Sequence, residues 1–225
     1  MNTTEEITLG GIVARDYRAA AIFETYGLDF CCRGRQSLAE ACRARGVAPE
    51  GVLAELAGLN DGAAAEPPFA SCELDELVAH IVSTHHAYVK RTLPTLDAYL
   101  QKRVAVHGER HPELTTVRER CAQVSRELTL HMAKEEEILF PYIVALARAG
   151  RHEQHMPPNM FGTVQHPIRM LEAEHESAGH QTELIRVLTS GYAVPDDGCT
   201  TYRVAFDELS AFERDLHRHV HLENN

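Results

Sequence analysis

Residues 128–135, which read LTLHMAKE, decide the fold because they place His131 and Glu135 where a packed helix would carry leucines. They belong to an apolar series with alternating steps of three and four residues, the spacing that keeps side chains on one helix face. The series is Leu114, Val117, Cys121, Val124, Leu128, His131, Glu135, Ile138, Tyr142 and Ala145. An ionised glutamate buried on such a face is costly unless it is paired or binds a cation. The stretch therefore predicts a packed helix that carries metal ligands.

A second series with the same steps lies near the C-terminus and also ends in a histidine and a glutamate four residues apart. It runs Ala205, Leu209, Phe212, Leu216, His219 and Glu223. Long helical patterns cover residues 72–106, 112–149, 167–190 and 199–224, and a repeat near 3.5 residues in four such helices favours a four-helix bundle. Because no stretch has the alternation of a β-strand, we predict an all-α protein.

The chain is expected to form two domains. Residues 1–60 carry short helical patterns separated by turns and predict a small N-terminal helical domain. Residues 61–70, rich in alanine and proline, are typical of a linker. Residues 71–225 then form the bundle, and the two His-x-x-x-Glu pairs both fall in it.

Two local signals set the expected helix ends in the N-terminal domain. Residues 12–26 are predicted to be helical and to end at Gly27, since glycine suits the left-handed conformation after a helix. Ser37 and Glu40 have the spacing of a capping box, which predicts that the next helix begins there.

The other two long patterns each offer a histidine to the core. In the third helix the apolar face is Ile168, Leu171, His175, Ala178, Thr182 and Ile185. In the first helix, His85 and His86 are adjacent and compete. The face through His86 is apolar throughout, whereas the face through His85 continues into tyrosines and threonines. The pattern therefore favours His86.

Together the four faces present four imidazoles and two carboxylates, which are too many for one ion with an open position. We predict two adjacent metal ions, each bound by two histidines and bridged by the two glutamates. Nitrogen and carboxylate ligands suit iron best among the common redox metals, with manganese and zinc as alternatives. The alternative interpretation is that these histidines are buried structural residues that bind no metal. A ferritin-like site is disfavoured because Glu-x-x-His occurs once, at Glu172 and His175. The predicted ligands are His86, His131, Glu135, His175, His219 and Glu223.

Composition excludes several functional classes. The net charge is −11, with no basic stripe that would follow phosphates, so we expect no nucleic-acid partner. No run of about 18 apolar residues is present, so no membrane span is expected. Residues 1–10 are polar and acidic, unlike a secretory signal. Six cysteines without such a signal predict reduced thiols and a cytoplasmic location.

Three bundle segments resemble hemerythrin-like di-iron proteins: HMAKEEEILFP at 131–141, EHE at 174–176 and HVHLENN at 219–225. The segment GLDFCCRG at 27–34 is similar to the short domain that precedes the bundle in iron–sulfur cluster repair proteins of the RIC type. The resemblance covers nearly the whole chain, and it pairs a double-cysteine motif with the bundle ligands in one polypeptide.

The resemblance implies a cytoplasmic, non-haem di-iron protein that restores iron–sulfur clusters after oxidative or nitrosative damage. It implies the same six ligands, with the glutamates bridging, and it also selects His86 over His85. The implied partners are damaged iron–sulfur proteins or a cluster scaffold, with nitric oxide or oxygen species as reactants. Members of this family are described as homodimers.

Two features depart from the family pattern. The motif reads Cys31-Cys32-Arg33-Gly34, where Cys-Cys-Gly-Gly is familiar. The chain also ends two residues after Glu223, where the family's last helix usually continues, so we expect a shortened sequence and a poorly held ligand in a fraying turn.

The adjacent Cys31 and Cys32 are predicted to act as two thiols, because a disulfide between neighbours is strained. Arg33 beside them is expected to favour the reactive thiolate. They would serve as a redox pair or as transient ligands for iron. Two small buried hydrophobic residues at a helix end are the alternative interpretation.

Rival functions differ in what the bundle does with its metal. A hemerythrin-type carrier or sensor of oxygen or nitric oxide would bind its ligand reversibly, but such proteins typically use five histidines. A di-iron nitric oxide reductase would turn over nitric oxide. A structural zinc bundle would have no redox chemistry.

Overall fold

The computed structural model describes residues 7–59, 72–152, 156–158 and 161–224, apart from the side chain of residue 152. Two units are formed, one by residues 1–73 with 218–225 and the other by residues 74–217. The predicted linker at 61–70 lies outside the described residues. Among those that are described, no strand is present beyond an isolated bridge between Thr8 and Ser37.

Within its described residues before position 60, the N-terminal unit forms four short helices, α1 (Leu9–Arg15), α2 (Ala19–Thr25), α3 (Leu38–Arg45) and α4 (Pro49–Gly58). Its core is formed by fully buried side chains, among them Leu9, Ala19, Phe23, Cys42 and Val52. The short helices offer few apolar residues each, so all of them contribute to one small core.

The expectation of one helix over 12–26 is wrong, because the chain breaks at Asp16. This residue is extended, with φ −150° and ψ 104°, and its carboxylate accepts hydrogen bonds from the backbone N–H and guanidinium of Arg18. A side chain that binds nearby backbone in this way competes with the helix. Gly27 has φ +66° just after α2, as predicted.

The predicted capping box at the start of α3 is present. Ser37 Oγ accepts a hydrogen bond from the Glu40 N–H at 3.3 Å, and Glu40 Oε2 accepts one from the Ser37 N–H at 3.0 Å. We expect Ser37→Ala to lower the free energy of unfolding of this unit by about 1 kcal/mol, because the Glu40 N–H loses the hydroxyl that caps it. Urea unfolding followed by circular dichroism measures the loss. Ser37→Asp keeps the cap and should stay near the wild type; an equal loss in both variants would contradict the role of the cap.

The bundle unit is built on long helices close to the predicted ones. α5 (Leu74–His80), a π-helical turn (Ile81–His86) and α6 (Ala87–His107) follow without a break. α7 (Glu113–Lys134), a second π-helical turn (Glu135–Leu139) and α8 (Phe140–His152) do the same. α9 (Gln165–Leu188) and α10 (Thr200–Asn224) complete the set, and the last turns of α10 belong to the other unit. The all-α bundle is confirmed.

The bundle core lies between α6, α7, α9 and the first five turns of α10. α7 packs against both α6 and α9. α10 reaches α6 through Tyr202, whose ring meets His107 at 5.3 Å between centroids, and α9 through Glu213, which pairs with Arg186. No helix in the described part of the chain is long and apolar enough to cross a membrane.

The two π-helical turns change which residues face the core. Ile138, predicted to be buried, is 45% exposed, whereas Leu139 is only 5% exposed. A π-helical turn holds one residue more than an α-helical turn, so the buried face advances by one position. The same shift buries Ile81, which lies five residues before His86, whereas the unbroken spacing of an α-helix would bury the residue four before it. Each turn contains or borders a predicted ligand, His86 in the first and Glu135 in the second.

Candidate metal centre

Four of the six predicted ligands meet in the core of the bundle unit: His86, His131, Glu135 and His175, none more than 3% exposed. The carboxylate of Glu135 lies between two imidazoles. Its Oε2 atom is 3.4 Å from His86 Nε2 and 3.3 Å from His131 Nε2. This oxygen is buried and accepts no hydrogen bond within the described residues. The carboxylate of Glu135 thus faces the Nε2 atoms of both histidines.

His175 closes one side of this group. Its Nε2 atom lies 2.8 Å from Nε2 of His131. One ligand atom each from His131, Glu135 and His175 lies within 4.8 Å of the others. Two atoms bound to one cation at about 2.1 Å lie at most about 4.2 Å apart, and the separations of 2.8 Å and 3.3 Å from His131 Nε2 to His175 Nε2 and Glu135 Oε2 fall within that limit. The three side chains can therefore hold an ion together.

A carboxylate and a lysine orient His86. Nδ1 of His86 lies 2.7 Å from Glu136 Oε1, and the same carboxylate accepts two hydrogen bonds of 2.7 Å from Lys90 Nζ. Burial raises the pKa of Glu136, but the hydrogen bonds from Lys90 and His86 outweigh it and lower the pKa. An ionised Glu136 keeps the ring proton on Nδ1, so that Nε2 presents its lone pair to the centre.

His131 has an equivalent pair of partners. Its Nδ1 lies 3.0 Å from Glu174 Oε2, and Lys134 donates to Oε1 of the same carboxylate. Burial raises the pKa of Glu174 as well, and the hydrogen bonds from Lys134 and His131 again lower it. Two of the histidines therefore have the same outer arrangement, which is the usual means of fixing a metal-binding imidazole.

The structure also settles the position of His85, the rejected alternative. His85 is buried, and its Nδ1 lies 2.9 Å from Asp215 Oδ1 on α10. Of the two adjacent histidines, His86 is the one whose Nε2 faces Glu135. The apolar pattern thus selected the histidine that meets the other predicted ligands.

The other two predicted ligands lie near the C-terminal end of α10. His219 Nε2 is 2.9 Å from Glu223 Oε1, and both side chains are buried. The expectation of a fraying last turn is wrong, because the N-terminal unit holds this segment. The amide of Asn224 donates to the carbonyl oxygen of Cys31 at 3.2 Å, and the ring of His221 meets that of Phe30 at 5.8 Å between centroids. These contacts bury His221 and lower its pKa to about 4, chiefly through desolvation.

Cys31 and Cys32 are not joined by a disulfide, and their sulfur atoms lie 3.9 Å apart. Asp29 lies against them, with Oδ1 3.4 Å from Cys31 Sγ, and the three residues could offer ligand atoms within 4.8 Å of one another. The expected thiolate at Cys31 is wrong. The hydrogen bond with Cys32, burial and the carboxylate of Asp29 together raise the pKa of Cys31 well above its ordinary value.

Sequence reasoning did not identify Glu136 as a partner of His86. Glu135, Glu136 and Glu137 follow one another, and helix periodicity alone leaves the second and third outside the core. The π-helical turn brings Glu136 to His86 at 2.7 Å. A turn of this kind has no local sequence signature, so no available signal would have found this contact.

Comparison with known proteins agrees with these features. Residues 5–60 match the model of the ScdA_N domain, a domain of unknown function, and residues 77–225 match the hemerythrin HHE cation binding domain. The iron–sulfur cluster repair protein YtfE of Dickeya chrysanthemi is 33% identical over 97% of this chain and 93% of its own length. The YtfE protein of Yersinia pestis is 31% identical over the same shares. The chain therefore belongs to the family of the YtfE iron–sulfur cluster repair proteins, and its larger part is a hemerythrin HHE cation-binding domain.

Proposed function

We propose that this protein binds two iron ions in the bundle and takes part in the repair of iron–sulfur clusters damaged by oxidative or nitrosative stress. The observation that carries the proposal is the position of Glu135, whose buried Oε2 faces the Nε2 atoms of His86 and His131. A buried carboxylate oxygen without a hydrogen bond, between two oriented imidazoles, suits a cation. The relatives named for cluster repair match nearly the entire chain.

The six ligands in the proposal are those predicted from the sequence. His86, His131, Glu135 and His175 meet in the bundle unit, while His219 and Glu223 continue the buried face that Leu209, Phe212 and Leu216 form on α10. When bound, the iron would supply labile metal for rebuilding a cluster. The residues of the chain hold the imidazole protons at Nδ1 and exclude water from the carboxylate of Glu135.

In the same proposal, Cys31 and Cys32 accept iron or react with it in transit. Their support is the group of three donors that they form with Asp29. A raised pKa keeps Cys31 protonated until a cation displaces the proton, since metal binding releases thiol protons. The recipients would be damaged iron–sulfur proteins or a scaffold, and the cytoplasmic location and the homodimer stay predictions.

The test is a reconstitution of repair. A [4Fe–4S] dehydratase inactivated with nitric oxide is incubated anaerobically with iron-loaded protein, and its recovered activity is measured. We expect His175→Ala to lose both bound iron and repair. His180→Ala on the same helix is the matched control, because His180 is exposed, and it should behave as the wild type. Repair by a metal-free His175→Ala protein would overturn the proposal.

Glu174 provides a finer test of the metal site. We expect Glu174→Gln to weaken metal binding by about 10- to 100-fold, because His131 loses the carboxylate that holds its ring proton. Competition with a chromophoric chelator under anaerobic conditions measures the affinity. Glu176→Gln, at an exposed position two residues along the same helix, makes the same charge change and should leave the affinity unaltered. An equal loss of metal affinity in both variants would show that net charge, and not the contact of Glu174 with His131, causes it.

A further inference from the structure

A second cluster of reactive side chains lies around Cys199, far from the metal ligands. Cys199 immediately precedes α10 and contacts the C-terminal end of α6, where Arg103 and His107 lie. Arg103 is 17 residues beyond His86, which corresponds to about 25 Å along a helix. The cluster is therefore separate from the proposed iron site and plays no part in the function proposed above.

The buried guanidinium of Arg103 indicates that this cluster contains an anion. Its side chain is only 3% exposed, yet it forms no ion pair with a carboxylate in the described part of the chain. Its Nη1 donates instead to Cys199 Sγ at 2.9 Å and to Thr201 Oγ1 at 2.5 Å. A buried guanidinium requires a compensating anion. The sulfur is the group in contact with it that can become one.

His107 supplies a second buried group aimed at the sulfur. It is 4% exposed, its Nε2 lies 3.5 Å from Cys199 Sγ, and its Nδ1 has no hydrogen-bond partner among the described residues. A thiolate accepts hydrogen bonds and donates none, so this geometry favours the tautomer whose proton is on Nε2. Both buried side chains then donate toward the sulfur.

The remaining charged groups near the cluster are engaged elsewhere. On the connection before α10, Asp197 binds Arg110 and His111, and Glu113 at the start of α7 also binds His111. No carboxylate among the described residues pairs with the sulfur. The hydrogen bonds from Thr201, His107 and the Tyr202 N–H, together with the charge of Arg103, lower the pKa of Cys199 to about 6.

We propose that Cys199 is a reactive thiolate that small peroxides oxidise to a sulfenate. The thiol is exposed, so a peroxide can reach it. The thiolate attacks one oxygen of hydrogen peroxide, and a sulfur–oxygen bond forms as the oxygen–oxygen bond breaks. The departing hydroxide takes the proton of the new sulfenic acid and leaves as water. The sulfur loses two electrons, the peroxide gains them, and the sulfenate anion keeps the hydrogen bond from Arg103.

The experiment measures the reactivity of Cys199 in the full chain. Alkylation by iodoacetamide is followed between pH 4.5 and 9 by mass spectrometry of the peptide that contains Cys199, with the peptide of the partly exposed Cys72 as an internal reference. Half-maximal reactivity near pH 6 is expected. In a parallel sample, sulfenate formed by equimolar peroxide is trapped with dimedone and should appear first on Cys199. A midpoint above pH 8, or no preference for Cys199, would overturn the proposal.

Matched variants separate the cluster from general charge effects. Arg103→Gln should slow alkylation at pH 5.5 by up to about eightfold, the loss of thiolate at that pH when a pKa of about 6 rises by one unit. Arg110→Gln removes the same charge from the exposed neighbour that binds Asp197 and should leave the rate unchanged. Thr201→Ala, at an exposed position, removes a hydrogen bond to the sulfur and one acceptor of Arg103 but keeps the guanidinium charge, and it should shift the midpoint in the same direction. If Arg103→Gln does not fold, the Thr201 variant decides; a midpoint equal to that of the wild type refutes the assignment.

Discussion

Glu135→Gln is expected to remove tightly bound iron from the bundle. The carboxylate of Glu135 faces both His86 and His131 through a single oxygen. An amide has one neutral acceptor oxygen in place of two anionic ones, so it bridges two cations poorly. The variant should retain only a small fraction of the two irons per chain that we propose for the wild type. Elemental analysis after anaerobic loading and desalting measures the content, with Mössbauer spectroscopy to show whether the ions are coupled.

The chain provides a close control for this variant. Glu137→Gln makes the same chemical change two residues away, at an exposed position of the same π-helical turn. It should keep the full iron content. Retention of two coupled irons by Glu135→Gln would remove the bridging carboxylate from the mechanism. A loss of iron in both variants would show that the turn itself, and not the ligand, had been disturbed.

In the metal-free protein, the same substitution should not lower the stability of the fold. Without a cation, a buried carboxylate whose Oε2 accepts no hydrogen bond in the described residues destabilises the fold. A neutral glutamine of nearly the same size avoids that desolvation cost. Apo Glu135→Gln should therefore unfold at a temperature no lower than apo wild type, although it cannot bind iron. Loss of iron together with an unchanged or higher unfolding temperature of the apo protein would show that a ligand was lost and that the core was not damaged.

Helix periodicity was sufficient to predict the bundle and most of the group that forms its candidate centre. His131 and His175 fall on faces that are apolar for several turns, and both are buried. Ile138 shows where the argument fails. A π-helical turn inserts one residue into the repeat, and periodicity continued through it assigns the wrong side chain to the core.

Contacts that depend on tertiary structure could not be read from spacing. Arg33 is adjacent to the cysteines in sequence and suggested a thiolate, but Asp29 is the charged side chain whose carboxylate contacts Cys31. Arg103 and Cys199 are 96 positions apart, and neither belongs to a recognisable motif. Such pairs form because helices of fixed length bring distant residues together, and the resemblance to a family carries no information on residues outside its motifs.

Removal of the metal should lower the melting temperature of the bundle by about 8–16 °C. A ligand that binds only the folded state stabilises it by about 4 kcal/mol when its free concentration is 1,000 times its dissociation constant. In a chain of this size each kcal/mol changes the melting temperature by about 2–4 °C. The ligands come from separate helices, α7 and α9 among them, so the ion links elements that would otherwise separate on unfolding. Circular dichroism at 222 nm follows the transition before and after anaerobic chelation.

Two variants make this measurement specific to the site. His180→Ala changes an exposed position of α9. On chelation its melting temperature should fall by the same amount as that of the wild type. Glu135→Gln should show almost no change on chelation, because it enters the experiment without tightly bound iron. A shift of equal size in Glu135→Gln would mean that the chelator acts on the fold or that the stabilising metal binds elsewhere. No shift in the wild type would mean that the buried histidines and Glu135 are satisfied by one another, as structural residues of the core.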